Sequence, residues 1–415
     1  MKTKNYFFKV LLLTIGLTTS SVFSQTFTPK PSGTSYILYD VTIPPGQNTV
    51  AYAAGSQYTT GNAGIIIKST DAGETWQTIY PTTGSTPGFK KIKFVSTTRG
   101  FAVGQGDTFL KTTDGGVTWT NITVQTGIYY YSCLDFFDAD NGFVTALTNG
   151  GQLIAFRTAD SGDTWVPATT TTNLQTQALT YATATTMFST GANQKISKST
   201  DGGNTWTVVK SGIPTYYYFN IDFKDANNGI VSGEDGEVLK TSDGGATWTQ
   251  ILSTGYENLY SLIYRGNKMY ASGTDQNIYY SSNDGASFTP VNTAATTTPT
   301  LYAVDVFENG EALLCGSQGT ILKSTDFLST SNVSLIEMNI NHFYDTTTKT
   351  LSINVSEQIN INKVELISVD GKIVKKINTE GNFLTLDLSS IQSGVYLIRL
   401  NSVDGNTNTF KFIRN

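Results

Sequence analysis

Histidine is almost absent: one occurs in 415 residues, His342, and none precedes it. Ser-His-Asp and Cys-His nucleophile systems are therefore excluded from everything before that position, as is any His-ligated zinc. Cysteine is nearly as scarce. Cys133 and Cys315 cannot build a Cys-rich metal site. An oxidising compartment permits a disulfide between them, and the plainer reading is two buried small hydrophobes. A basic stripe is missing too. The formal net charge is −5, and without Lys2, Lys4 and Lys9 at the extreme N-terminus it is nearer −8. Residues 332–415 hold eight Lys/Arg and eight Asp/Glu, so the acidic excess lies before them. With no surface to displace counterions, nucleic acid is excluded as a partner. No later segment approaches the ~18 apolar residues of a spanning helix, so the mature chain should carry no transmembrane segment.

What is present begins with an export signal. Lys2, Lys4 and Lys9 precede the short apolar run VLLLTIGL (Val10–Leu17) and a small-residue end at Val22–Ser24. Residues 1–24 read as a signal peptide cleaved before Gln25, which places the mature protein outside the cytoplasm. Gly occurs 39 times and Tyr and Phe 22 times each, amid dense Ser and Thr. Such a composition fits an extracellular all-β protein with many turns.

One sentence of residues recurs. STDAGETW (Ser69–Trp76), TTDGGVTW (Thr112–Trp119), TADSGDTW (Thr158–Trp165), STDGGNTW (Ser199–Trp206) and TSDGGATW (Thr241–Trp248) are followed by a decayed SSNDGASF (Ser281–Phe288) and a truncated STD (Ser324–Asp326). Positions 71, 114, 160, 201, 243, 283 and 326 are spaced by 43, 46, 41, 42, 40 and 43 residues. That period, with four short strands per unit, is a β-propeller blade. In each box Asp71, Asp114, Asp160, Asp201 or Asp243 should accept hydrogen bonds from turn amides. The Gly should take a backbone angle other residues resist, and the Trp should bury between sheets. The last unit lacks its Thr-Trp strand, while the mature N-terminus offers Thr26-Phe27-Thr28 in the pattern of Thr247-Trp248-Thr249. The N-terminal strand is expected to close seven blades within residues 25–330 and hide an open edge.

These boxes resemble the Asp-box of sialidase-like propellers, where the box is a structural turn remote from ligand. Units such as GFAVGQGDTFLKTTDGGVTW and NGIVSGEDGEVLKTSDGGATW resemble the seven-bladed photosystem II assembly and stability factor family over nearly all of residues 26–330. The resemblance implies fold far more than function. Residues 331–415 change character. NKVELISVDGKIVKKI, LTLDLSSIQSGVYLIRL and the terminal FKFIRN predict a small Ig-like antiparallel sandwich. In that order and place they resemble the type IX secretion C-terminal sorting domain, with the Val369–Lys372 turn and Gly394-Val395-Tyr396 carrying the likeness. It implies passage of a folded cargo, by the type IX machinery, to the surface of certain Gram-negative bacteria. An ordinary Ig-like adhesive module is the alternative.

Chemistry is sparse, and no cofactor or metal is expected. DADNG (Asp138–Gly142) reads as a turn, since it lacks the distal ligands of a calcium loop. Sialidase chemistry needs an arginine cluster, and Arg99, Arg157 and Arg265 fall at scattered repeat positions. A carboxylate-pair glycosidase or lyase would need two acids at the mouth, and Glu234 and Asp275 are the candidates, each otherwise a solvated turn residue. Asp40, Asp135, Asp222 and Asp305, with Lys93, recur in the innermost strands and either brace the channel wall or form an ion-binding funnel. Loops entering those strands bring aromatic residues to the mouth, and Tyr36, Tyr131, Tyr218, Tyr260 and Tyr302 are the candidate ligand-binding residues. They suit stacking on a glycan or a protein surface, or else pack between blades. A non-catalytic binding propeller is the favoured function and the acidic-pair enzyme the alternative.

Overall fold

The computed structural model describes residues 26–57, 63–80, 87–169, 171–293, 297–324, 341–345, 347–355, 360–368, 372–379, 381–402 and 407–414. The signal peptide, its cleavage site, Asp326 of the truncated box and residues 369–371 of the tail turn lie outside them. The chain divides into two compact units, within residues 1–329 and 330–415.

Among the described residues the first unit contains seven sheets. Six are four-stranded antiparallel meanders, as in Tyr218–Phe223, Gly229–Gly233, Val238–Thr241 and Thr249–Leu252 of the fifth. The innermost strands are Ile37–Thr42, Phe89–Phe94, Ile128–Phe136, Ala178–Tyr181, Tyr218–Phe223, Leu259–Arg265 and Leu301–Val306. Each lies against the next, and the last lies against the first. The sheets therefore stand around an axis as blades of a β-propeller.

The seventh sheet closes as the N-terminal pattern predicts. Thr26–Lys30 pairs antiparallel with Ile321–Ser324, and Thr28 faces Lys323 as Thr249 faces Lys240 in the fifth sheet. Phe27 is buried, edge-on to Tyr270 at 5.6 Å between ring centroids. Asn292–Thr293 adds a parallel pairing to the outside of this strand, which the repeat pattern did not foretell.

Each box is a closed hydrogen-bond circuit. In the fifth, Asp243 Oδ1 accepts from the Thr241 hydroxyl at 2.8 Å and the Thr247 N–H at 2.9 Å, and Oδ2 from the Thr247 hydroxyl at 2.6 Å. The Gly245 N–H donates back to Thr241 Oγ1 at 2.9 Å. Asp71, Asp114, Asp160 and Asp201 repeat the circuit. Asn283 keeps it as well, its amide donating to Ser287 Oγ at 2.9 Å. The glycines permit close docking on the preceding blade. A Cβ on Gly162, at φ +71°, would stand 2.4 Å from Phe101, and one on Gly203, at φ +84°, 2.4 Å from Phe143.

A lysine from the third strand of one blade then clasps the box of the next. Lys68 Nζ donates to Gly115 O at 2.8 Å, Lys198 to Gly244 O at 2.7 Å and Lys240 to Asp284 O at 2.8 Å. Lys323 closes the circle on Glu74 of the first box at 2.9 Å. Cys133 and Cys315 are free and buried, their thiols donating to Thr176 O and Leu38 O.

The second unit holds two antiparallel sheets among its described residues. One joins Asn341–Asp345, Thr350–Asn354 and Phe383–Asp387. The other joins Ile373–Asn378, Ile361–Ser368, Gly394–Ser402 and Thr407–Arg414. Alternate residues, Leu351, Ile353, Leu384 and Leu386 from the first and Val364, Leu366, Ile398 and Leu400 from the second, form one core. No helix among the described residues is long and apolar enough to cross a membrane.

Two outcomes follow. Deleting residues 26–30 uncovers the Ile321–Ser324 edge, and Phe27→Ala alone should cost about 3–5 kcal/mol. Calorimetry should show the melting temperature of both variants falling by several degrees, and unchanged melting would mean the ring closes without this strand. Hydrogen bonds from Thr75, Thr118, Thr164 and Thr247 to Asp71, Asp114, Asp160 and Asp243 hold these carboxyls down to about 2. A carboxyl depressed by folding stabilises the fold above its unfolded value, near 4, and that contribution disappears as pH falls through about 2. The urea midpoint should therefore drop between about pH 4 and pH 2, and less steeply in a fourfold Asp→Asn box variant.

Candidate functional site

The innermost strands share an irregularity that decides which side chains reach the axis. In six of the seven the pairing register slips by one residue just after a large buried side chain. The slips fall between Leu38 and Asp40, Phe89 and Lys91, Tyr131 and Cys133, Tyr218 and Asn220, Leu259 and Ser261, and Leu301 and Ala303. Each leaves one extra residue, which a bulge turns out of the normal alternation. These residues are Tyr39, Lys90, Ser132, Phe219, Tyr260 and Tyr302, and a second slip in the third strand, between Ile128 and Tyr130, leaves Tyr129 as a further extra residue. The fourth strand, Ala178–Tyr181, pairs without a slip.

Four of the bulged residues are aromatic, half-buried, and touch in series. Phe219 and Tyr260 have ring centroids 4.7 Å apart, Tyr260 and Tyr302 5.4 Å, and Tyr302 and Tyr39 5.3 Å. Successive planes are tilted by 49°, 43° and 50°. Equivalent side chains on neighbouring blades of a sevenfold ring should be rotated by about 51°. The rings thus form an arc around the axis across blades five, six, seven and one. Tyr217 extends it, parallel to Phe219 at 6.2 Å, and at the other end Lys90 Nζ stands 4.8 Å over the Tyr39 ring.

The bulge also corrects the expected set. Tyr260 and Tyr302 are in the arc. Tyr131 and Tyr218 are not ligand-facing: both are buried between blades, at 0% and 1% exposure. Tyr131 lies edge-on to Phe109 at 5.2 Å, and the Tyr218 hydroxyl donates to Glu237 Oε2 at 3.0 Å. In each case the residue after it takes the bulge, so simple alternation picks the wrong neighbour. Tyr36 packs against the core shared by blades one and seven, and Tyr39 occupies the arc instead. The missed residues Tyr39, Lys90 and Phe219 all follow a large apolar or aromatic residue at the same repeat position, a signal visible only once the units are aligned on that residue.

The acids of the mouth sit in the turns between second and third strands. Glu234–Gly236 packs on the strand bearing Tyr260, and Thr274–Gln276 on the strand bearing Tyr302. Partial burial pushes the Glu234 carboxyl above its usual range, opposed by a Tyr217 N–H and reinforced by Asp235 of the same turn. Asp235 takes the Tyr216 hydroxyl. Asp275 is exposed.

The inner acids brace the wall. Asp40 Oδ2 accepts the Ile92 N–H at 3.0 Å, Asp135 the Tyr181 N–H at 3.4 Å, Asp222 the Tyr264 N–H at 2.8 Å and Asp305 the Ile43 N–H at 2.8 Å, each on the following blade. Lys93 pairs with Asp135 and Arg265 with Asp222, both at 2.8 Å. Arg265, at the end of its strand, therefore reaches into the channel. These charges line a cavity of about 430 Å³ with Tyr181, Lys224 and Asp225. Asp138 accepts N–H groups of Asp140 and Asn141 at 2.8 and 2.7 Å, as a turn residue does.

Residues 85–175 and 136–241 match the family model of the photosynthesis system II assembly factor YCF48, and residues 347–415 that of the secretion system C-terminal sorting domain. No curated protein sequence matches the chain. Among solved structures, YCF48 bound to D1 peptide is 17% identical with a TM-score of 0.57, over 74% of this chain and 99% of that one. PorZ, an essential surface component of the type-IX secretion system of Porphyromonas gingivalis, is 11% identical with a TM-score of 0.57, over 92% of this chain and 60% of that one. The GH74 xyloglucanase of Xanthomonas campestris is 13% identical with a TM-score of 0.57, again over 92% and 60%. At these identities the structures establish fold alone. The chain carries YCF48-like propeller repeats and ends in a type IX sorting domain, which supports its export as a secreted or cell-surface protein.

Proposed function

We propose that the protein is a non-catalytic binding propeller, delivered by its sorting tail to the outer surface of a Gram-negative bacterium, and that it grips its ligand on the aromatic arc. The carrying observation is the run Phe219, Tyr260, Tyr302 and Tyr39, half-buried at equivalent bulges rather than sealed between blades and extended by the half-buried Tyr217. Rings with polar edges held at this pitch offer a curved wall for a chain-like ligand, a polypeptide segment or a glycan. A propeller of this fold described as bound to a peptide supports the polypeptide.

Peptide and glycan arrays probed with the full chain test the reading. Tyr260→Ala with Tyr302→Ala should cut retention about tenfold or more while the melting temperature stays within a few degrees. Tyr218→Ala, a buried control, should instead destabilise by about 3–5 kcal/mol. Retention unchanged in the arc variant would show that the ligand sits elsewhere.

A further inference from the structure

We infer that the arc selects a polypeptide presenting a cationic side chain, lysine or arginine, which it seats at Tyr260 and Tyr302. This rests on the binding reading above and names the chemistry of its ligand. Aromatic faces attract cations, most strongly where water is partly excluded and a carboxylate stands nearby. Both conditions meet on blades five to seven. The Glu234–Gly236 turn, with Glu234 and Asp235, packs on the strand that carries Tyr260, and the turn holding Asp275 packs on the strand that carries Tyr302.

The opposite end of the arc shows the same interaction made within the chain. The equivalent turn of blade seven, Ser317–Gly319, is uncharged and packs on the strand of Tyr39. There Lys90 Nζ lies 4.8 Å over the ring. Where the neighbouring turn lacks a carboxylate, the chain supplies its own cation; where it carries carboxylates, a visiting cation is favoured. Lys90 repels a second positive group at the Tyr39 end, where Lys91 is already paired with Asp40 at 3.7 Å, so the ligand's cation goes to blades five to seven and its carbonyl or acidic groups face Lys90. A neutral glycan can answer the carboxylates only with hydroxyl hydrogen bonds, without the charge that a lysine or arginine brings.

Fluorescence polarisation with the full chain separates the possibilities, using one labelled Gly/Ser peptide backbone carrying lysine, arginine, acetyl-lysine or glutamate at two positions. At about 50 mM salt the lysine and arginine peptides should bind about tenfold or more tightly than the other two. Glu234→Gln with Asp275→Asn should shrink that preference to a few-fold without lowering the melting temperature. Equal binding of all four peptides, abolished by the Tyr260/Tyr302 variant, would overturn the cationic preference while leaving the arc as the site. Absence of binding by the lysine and arginine peptides would overturn it as well. Lysine-peptide binding indifferent to the arc variant would place the cation elsewhere and remove both readings.

Discussion

Blades of a propeller are joined covalently only at one linker each, so the ring stands or falls on what each sheet does to the flank of the next. Here that contact is built at the box corner. A carboxylate folds the turn around itself, glycine lets the turn settle onto an aromatic ring of the preceding blade, and a lysine from that blade reaches across to a backbone carbonyl. The lysine satisfies an acceptor that the tight turn cannot pair internally. It also explains why the third strand carries Lys68, Lys111, Lys198, Lys240 and Lys323 at one repeat position. The ends of the chain obey the same rule: Lys323 meets Glu74, and Lys30 joins it at 2.6 Å.

With the periphery committed to holding the ring, variation is concentrated near the axis. An extra residue in six of the seven innermost strands interrupts the alternation that would send every second side chain into the core. The buried neighbours, Leu38, Phe89, Tyr131, Tyr218, Leu259 and Leu301, remain structural. The displaced residues differ from blade to blade, aromatic in Tyr39, Tyr129, Phe219, Tyr260 and Tyr302 and polar in Lys90 and Ser132. Ser132 itself stays with the wall, its hydroxyl 2.7 Å from that of Thr145. The arc is therefore open on the side of blades three and four.

Farther along the axis the charged residues serve the opposite end. Each inner aspartate spans a blade boundary to a backbone N–H, and Lys93 and Arg265 neutralise two of them. A buried carboxylate without such partners would cost several kcal/mol, roughly. Their hydrogen bonds to the following blade mark them as braces.

Architecture was legible in the residues because it is written by repetition. The period of the box, the missing last strand and its match at Thr26-Phe27-Thr28 yield a ring closed by the N-terminus. Strand register then places Thr28 on Lys323 as the pattern demands. The box aspartates and the sorting tail are likewise local patterns. The arc was only half legible: of the expected residues Tyr260 and Tyr302 lie in it, while Tyr131 and Tyr218 are buried between blades and Tyr36 packs on the core of blades one and seven. A bulge shifts side-chain parity by one position, and whether a strand bulges depends on the partner strand across from it. Composition and spacing determine that seven similar units curl into a closed wall. Only the packed structure decides which residues of the innermost strands are released from that wall, because that choice is made by pairing between strands.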